Sequence, residues 1–410
     1  MRPVVVTGMG IVSSIGNSKD EVWRSLRESR SGICFVSEMR ELGLRCQVAG
    51  LVKGLEAKIA KIGKRPLQTM SDAARYAAVA TLEAIEDAKV PRDTFHSDRV
   101  GVVVGGSFGG INEVAKAERI LLQYKSPSRL GITGTVKLMH STASGNLSAW
   151  LGVQGRAYSI CSSSSSGADN IGHAYELIAH GALDLCICGS TEESCWRQIG
   201  GFFDNWKGVP TSWNDQPEKA CRPYDRDREG TVFSEGAGIL ILEALEHADR
   251  RGATPYAEIV GYGAANDGFH MFEPSGEGLA ECLRQALAEA LEKGVQRIDY
   301  VNSHGTGTKL HDTLEARVIK EAFSPASPFV SSTKGQAGHA MGAAGAHEAI
   351  FTLLMLSHGF VAPTMNLEHI APDCEGIAHV QSVLKTPLET AATFNAGLGG
   401  TNACLIFQKL

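Results

Sequence analysis

Along its 410 residues the chain alternates short apolar runs with longer amphipathic segments. That rhythm restricts it to the α/β class, with largely parallel strands linked by helices. Strands are expected at Val4–Val6, Val100–Val104, Ala157–Ile160, Leu185–Cys188 and Gly238–Leu242, and then at Ala257–Tyr262, Tyr300–Asn302, Val330–Ser332, Thr393–Asn395 and Ala403–Gln408. Helices are expected at Lys19–Ser29, Ser71–Asp87, Ser164–Ala179 and around Glu243–Arg251, and later at Gly278–Lys293, Thr313–Ala322 and Gly342–Ser357. The polar run HADRRGATPY separates two halves of similar style, 1–250 and 251–410. Near the start, GMGIVS reads as a turn after the first strand. It lacks the third glycine of a dinucleotide loop, since that position is Ser13.

Composition narrows the function classes. A net charge of −6 argues against nucleic acid as the main partner, because phosphate binding needs a basic surface. No apolar stretch approaches the length of a membrane span, and the opening apolar run is broken by glycines, unlike a signal peptide. The ten cysteines are scattered; Cys186 and Cys188 sit in an apolar strand-like run and read as buried thiols in a reducing, cytoplasmic setting.

Three segments pair a chemically capable residue with small neighbours at a strand-to-helix or loop junction. In AYSICSSSSSGADNIGHAYELIAHG a strand ends near Cys161, serines follow and a helix begins. A side chain at the first residue of such a helix faces free backbone N–H groups, which stabilise developing negative charge. Read alone, the run is equally a serine-rich loop with an N-cap. In VNSHGTGTKLHDTLEA, His304 follows an apolar strand, Thr306 and Thr308 lie on a polar loop, and Asp312 and Glu315 ride the next helix. A lone histidine there reads as a satisfied structural group. In VSSTKGQAGHAMGAAGAHEAI, Lys334 and His339 occupy a glycine-rich loop before a helix of small residues. A fourth segment, FNAGLGGTNACLIF, is a glycine turn between strands whose N–H groups face outward for an oxyanion.

Together, in this order and spacing, these segments resemble the β-ketoacyl-acyl carrier protein synthases of classes I and II. The resemblance covers essentially the whole chain, from VTGMGIVSSIG through SLRESRSGI, MSDAARYA, RPYDRDREGTVFSEGAG, EIVGYGAANDG and PSGEG to GLGGTNA. It implies a thiolase fold, two similar α/β halves in a five-layered αβαβα arrangement. It also implies decarboxylative condensation of an acyl group with malonyl-acyl carrier protein, in fatty-acid or specialised polyketide or polyene synthesis, without metal or other cofactor. The implied partners are an acyl carrier protein and a second copy of the chain, or another ketosynthase-like chain in a heterodimer.

Carried over position by position, the family's nucleophilic cysteine falls eight residues before Gly172, where this chain has Ser164; Cys161 is three residues early. His304 and His339 match the histidines that hydrogen-bond the malonyl thioester carbonyl. Lys334 and Glu315 match a charged pair that orients them. Thr306 and Thr308 match pantetheine-binding residues, and the N–H groups of Ser164 and Leu398 match the oxyanion hole. Serine is a much weaker nucleophile than a thiol at neutral pH, so elongation is expected to be strongly impaired. Three accounts of Ser164 stay open: an exchanged cysteine in an otherwise active enzyme, a non-elongating chain-length-factor-like subunit, and a serine acyltransferase or hydrolase. Ala396 and Leu398 replace common phenylalanines of the glycine turn. Phe108 stands where the family carries a smaller residue of the acyl tunnel, so a tunnel suited to short, rigid or aromatic-headed chains is expected. TKLHD also departs from the family's usual loop.

Overall fold

The computed structural model describes residues Met1–Leu410. Ten strands carry the fold: β1 Val4–Val12, β2 Val100–Gly105, β3 Ala157–Tyr158, β4 Leu185–Glu192 and β5 Gly236–Ala244 in the first half, then β6 Ala257–Asn266, β7 Tyr300–Asn302, β8 Phe329–Ser331, β9 Thr390–Ala396 and β10 Thr401–Lys409. Across the sheet they run β3-β2-β4-β5-β1-β6-β10-β9-β7-β8, and a short strand, Ala378–His379, adds to the β8 edge. Read outward from the centre, each half repeats one order: first, fifth, fourth, second and third strand. The pairings repeat as well. First with fifth and fifth with fourth are antiparallel, whereas fourth with second and second with third are parallel. The two half-sheets are joined where Val5 and Val6 pair with Glu258 and Ala257.

Five helices complete the layers: α1 Asp72–Ala88, α2 Ser166–Ala179, α3 Glu277–Glu292, α4 Lys309–Ala322 and α5 Ala344–His358. α1 covers the outer face of the first half-sheet, and α3, with α4 beside it, covers that of the second. α2 and α5 touch each other and lie between the half-sheets. The result is the α/β thiolase arrangement, helix–sheet–helix–sheet–helix. Each helical layer has its own apolar cluster, and the largest surrounds the central pair. α5 is buried on all sides from Ala344 to Leu356, as a helix packed between two sheets must be.

Glycines set how closely the layers approach. A Cβ at Gly10 would sit 2.0 Å from the Ala80 carbonyl of α1, and one at Gly263 would sit 2.1 Å from the Cys282 carbonyl of α3. GMGIVS is therefore not a turn. Gly8 and Gly10 lie inside β1, where the missing side chains let α1 rest on the strand. The two central helices cross at Gly167 and Gly345, whose added Cβ atoms would come 2.4 Å from Ala346 N and 2.5 Å from Ala168 N.

Some boundaries shift. α4 begins at Lys309 rather than Thr313, and α5 is preceded by a short 3-10 turn at Met341–Ala343. A helix at Ile111–Tyr124, not expected from the pattern, has no fully buried residue; Ile111 packs against the cluster that holds Met341, while Val114, Leu121, Leu122 (71% exposed) and Tyr124 face outward. Cys186 and Cys188 are buried in β4, as their apolar run implies. No helix is long and apolar enough to cross a membrane.

Candidate active site

Both central helices begin at the same depth, and the loops that feed them meet. On the first-half side the serine run forms a compact elbow, in which nearly every hydroxyl has a separate task. Ser162 donates to Asp169, Ser165 to the Ser162 carbonyl at 2.7 Å, and Ser166 to the Ser163 carbonyl at 2.6 Å. Ser163 is held at φ +55°, a conformation non-glycine residues adopt rarely. Ser164, 5% exposed, turns instead toward the second half: its Oγ lies 3.0 Å from His339 Nε2. The expected helix start at Ser164 is corrected here. The helix opens at Ser166 with Ser165 at the cap, because the serine side chains bond the local backbone and hold it in a turn.

His304 follows β7, and its ring stands edge-on to that of His339, with centroids 5.3 Å apart at 89°. Lys334 Nζ and Asn395 Nδ2 both lie 3.4 Å from His304 Nδ1. Both atoms are donors, so Nδ1 accepts and the ring proton resides on Nε2. Burial, reinforced by the Lys334 charge, holds both imidazoles well below their ordinary pKa. At neutral pH they are uncharged rings, able to donate to an oxygen that gains charge.

Lys334 is not paired with Glu315, which corrects the expected charged pair. Its ammonium bonds the Glu348 carboxylate of α5, and Asn395 donates to the other Glu348 oxygen at 2.6 Å. Burial pushes the Glu348 carboxyl up while Lys334 and Asn395 draw it down. Glu315 instead accepts from Gly305 N at 3.1 and 3.0 Å and from the Tyr224 hydroxyl, fastening the backbone of the His304 loop. Asp312 fastens the next turn through Thr306 N and Gly307 N, each at 3.1 Å. Glu315 fails to reach Lys334 because α4 lies behind the loop, on its outer side, whereas α5 runs beneath the lysine.

A cavity of about 270 Å³ opens over these groups. Ser164, His304, His339, Thr306, Thr308, Ala396 and Leu398 all line it. The threonine hydroxyls are 3.0 Å apart. The N–H groups of Ser164 and Leu398 have no backbone carbonyl partner, the condition for binding an oxyanion. Lys334 and Glu315 stand behind the lining. Phe108, expected to line the tunnel, does not reach the cavity wall; its ring packs in the apolar cluster that contains Met341, and Met341 forms the wall. Cys161 is exposed, bonds the Ser107 carbonyl at 3.5 Å and is not part of the lining.

Sequence reasoning missed Glu348 and Asn395, which tie Lys334 to His304. One signal was available: a glutamate in a largely apolar, buried helix needs a buried partner. It also missed Trp206 and Phe272, whose rings meet at 5.0 Å and line the cavity beside Lys207 and Lys309. They lie far apart in the chain, and nothing local to either announces the other.

The arrangement places a hydroxyl, two neutral imidazoles and two free N–H donors around one space, with a buried ammonium behind. It suits acyl transfer followed by stabilisation of an enolate oxygen. Comparison with known proteins agrees with this chemistry. Residues 1–248 match the family described as Beta-ketoacyl synthase, N-terminal domain, and residues 256–368 match Beta-ketoacyl synthase, C-terminal domain. The chain is 42% identical to 3-oxoacyl-[acyl-carrier-protein] synthase 1 of Haemophilus influenzae, over 100% of this chain and 99% of that one. Among solved structures it is similar to a Beta-ketoacyl synthase from Burkholderia phymatum (32% identity, TM-score 0.93, 100% of both chains) and to the ishigamide ketosynthase/chain length factor (30%, TM-score 0.92, 100% of this chain and 99% of that one). With a match in each half and relatives aligned along its whole length, the chain belongs to the β-ketoacyl synthase family.

Proposed function

We propose that the chain is a ketosynthase that condenses an acyl group with malonyl-acyl carrier protein, and that Ser164 leaves it strongly impaired in the acyl-transfer step. The observation that carries this reading is the Ser164 hydroxyl 3.0 Å from His339, in one cavity with His304. Position 164 takes the acyl group: its Oγ attacks the thioester carbonyl, the hydroxyl proton passes to His339 Nε2, and the carrier thiolate leaves as a thiol after taking up that proton. The N–H groups of Ser164 and Leu398 hold the tetrahedral oxyanion. The malonyl thioester then enters past Thr306 and Thr308. His304 Nε2–H donates to its carbonyl oxygen, joined by His339 once exchange with solvent has moved its ring proton to Nε2. Carbon dioxide departs, the enolate attacks the acyl carbonyl, and residue 164 leaves as an alkoxide that takes a proton from solvent, giving the β-ketoacyl thioester.

Serine weakens both ends of this cycle. Its hydroxyl is seldom ionised at neutral pH, and an alkoxide is a poorer leaving group than a thiolate. Ser164→Cys is expected to raise condensation by roughly 10³-fold, equivalent to about 4 kcal/mol in the barrier. The measurement is product formation from acyl- and malonyl-acyl carrier protein, with intact-mass detection of the acylated chain. A cysteine variant that is neither acylated nor faster than the parent sinks the proposal.

The serine, together with the likeness to a ketosynthase/chain length factor, also favours a second reading, a non-elongating subunit paired with an active synthase. The exposed apolar residues at 114–139, where Ile132 is fully exposed, supply a surface for a homodimer or such a heterodimer. Native mass distinguishes them. A homodimer supports the first reading, and a stable heterodimer that elongates only through its partner supports the second.

A further inference from the structure

Opposite the histidines, the inner wall of the cavity rests on a carboxyl group that the condensation steps leave unused. Glu192 ends β4 and is fully buried. Its Oε2 accepts from Ser107 N at 2.8 Å and from Gly342 N at 3.2 Å, while Oε1 is buried without a partner. The two donors belong to different halves of the molecule. Ser107 opens the loop that carries Phe108, and Gly342 follows Met341, which forms part of the cavity wall. These loops are in direct contact, since a Cβ on Gly342 would lie 2.3 Å from Ser107 N. Both are joined to strained backbone beside the reacting groups. Met341 is held at φ +49°, next to Gly342. Ser163, at φ +55°, has its carbonyl bonded by Ser107 Oγ at 3.1 Å. Such conformations persist only where neighbouring contacts over-determine them.

We infer that Glu192 is a positioning residue that determines acyl-chain selection: by bonding the Ser107 and Gly342 N–H groups it fixes the Phe108 loop and Met341, and so the depth of the cavity. The inference rests on the condensing reading, because it is an acyl chain that would meet this wall. Burial pushes the Glu192 carboxyl up to about 8, so near neutrality it is a largely neutral acceptor that an amide can imitate.

The test uses the full chain carrying Ser164→Cys, loaded with butyryl- or dodecanoyl-carrier protein and followed by intact mass. Glu192→Ala is expected to move the loading preference toward the longer chain by ~10-fold, and Glu192→Gln, which keeps an acceptor oxygen, to stay within about threefold of the parent. With Phe108→Ala already present, Glu192→Ala should add a smaller shift than it gives alone, because only Met341 is left for it to position. An alanine variant with the parental preference, or a glutamine variant that shifts as far as alanine, overturns the inference. If the alanine variant does not fold by circular dichroism, Glu192→Asp takes its place with the same outcomes, its carboxylate being too short to bridge both loops. Should Ser164→Cys with Glu192 intact load neither chain, the condensing reading fails on its own. Amide exchange then decides on Glu192: faster exchange at Ser107 and Gly342 in the alanine variant but not in the glutamine variant upholds the strap, and unchanged exchange overturns it.

Discussion

The two halves share one strand order, one set of pairings and one device for seating an outer helix, yet they contribute opposite chemistry to the cavity. Three residues after each crossing glycine stands a fully buried polar side chain. In the first half it is Asn170, which bonds Ile160 N at 3.1 Å, Ile160 O at 3.0 Å and Ser166 O at 2.6 Å. In the second it is Glu348, bound to Lys334 and Asn395. The fourth strands end differently too. Glu192, in the first half, grips only backbone N–H groups, while Asn395, close to the end of its strand in the second, grips Glu348 and faces His304. One half thus uses its buried polar groups to shape a wall and an elbow; the other uses them to hold a charge beside a neutral imidazole. A duplicated fold supplies equivalent places, and the residue put in each decides whether that place shapes the cavity or supports catalysis.

The largest effect is expected where the second half holds that charge. Glu348→Ala strands the Lys334 ammonium in a buried site and should cost about 3–5 kcal/mol, whereas Asn170→Ala removes neutral hydrogen bonds and should cost about 1–3 kcal/mol. Urea denaturation of the two variants checks the order, and equal losses would break the contrast between a charged and a neutral support. In the Ser164→Cys background, Glu348→Ala should also abolish condensation, because the Lys334 ammonium behind His304 loses the carboxylate that holds it in position.

A smaller and symmetrical effect is expected at the strand glycines. Gly10→Ala and Gly263→Ala each force a methyl group against a helix carbonyl at about 2 Å, and overpacking of that kind costs about 1–3 kcal/mol. The two melting temperatures should fall by similar amounts. A half that tolerates its alanine does not seat its outer helix in the way described, and the structural equivalence fails there.

That equivalence was partly legible. VTGMG and IVGYG carry the same spaced glycines, but the first reads locally as a turn because nothing in a linear pattern announces a helix carbonyl 2 Å away. Strand positions were readable since β4, β5 and β10 are buried runs with sharp ends, whereas Ile111–Tyr124 was not, most of its apolar side chains being exposed. At the site, the positions of Ser164, His304 and His339 followed from small-residue spacing and family likeness. The partner of Lys334 did not, because family likeness pointed to Glu315, and the one local sign of Glu348 was a carboxylate in a largely apolar helix, which says that a partner is needed but not which one.

The finest test concerns protons. Folded Glu192 keeps its proton up to about pH 8, whereas a glutamate in the unfolded chain releases it near about 4.3. Between these values the folded form holds more protons, so stability falls as pH rises through the window. His304 and His339 act in the opposite sense. Their folded rings protonate only well below the ordinary imidazole value of 6.5, so their contribution is present above it and is lost as pH falls. Above pH 6.5 raised carboxyls pull the stability down, among them Glu192 with its neighbour Glu193 in the first half and Glu315 in the second, the latter two pushed by burial to about 7. Glu192→Gln should make the decline of melting temperature between about pH 6.5 and 8 shallower without removing it. Asn395→Ala, at the corresponding strand end, removes a donor that draws the Glu348 carboxyl down, so it should not flatten the decline. Identical slopes in the parent and the glutamine variant would mean that the first-half strand end carries an ionised carboxylate, and the division into a neutral wall and a charged support would have to be redrawn.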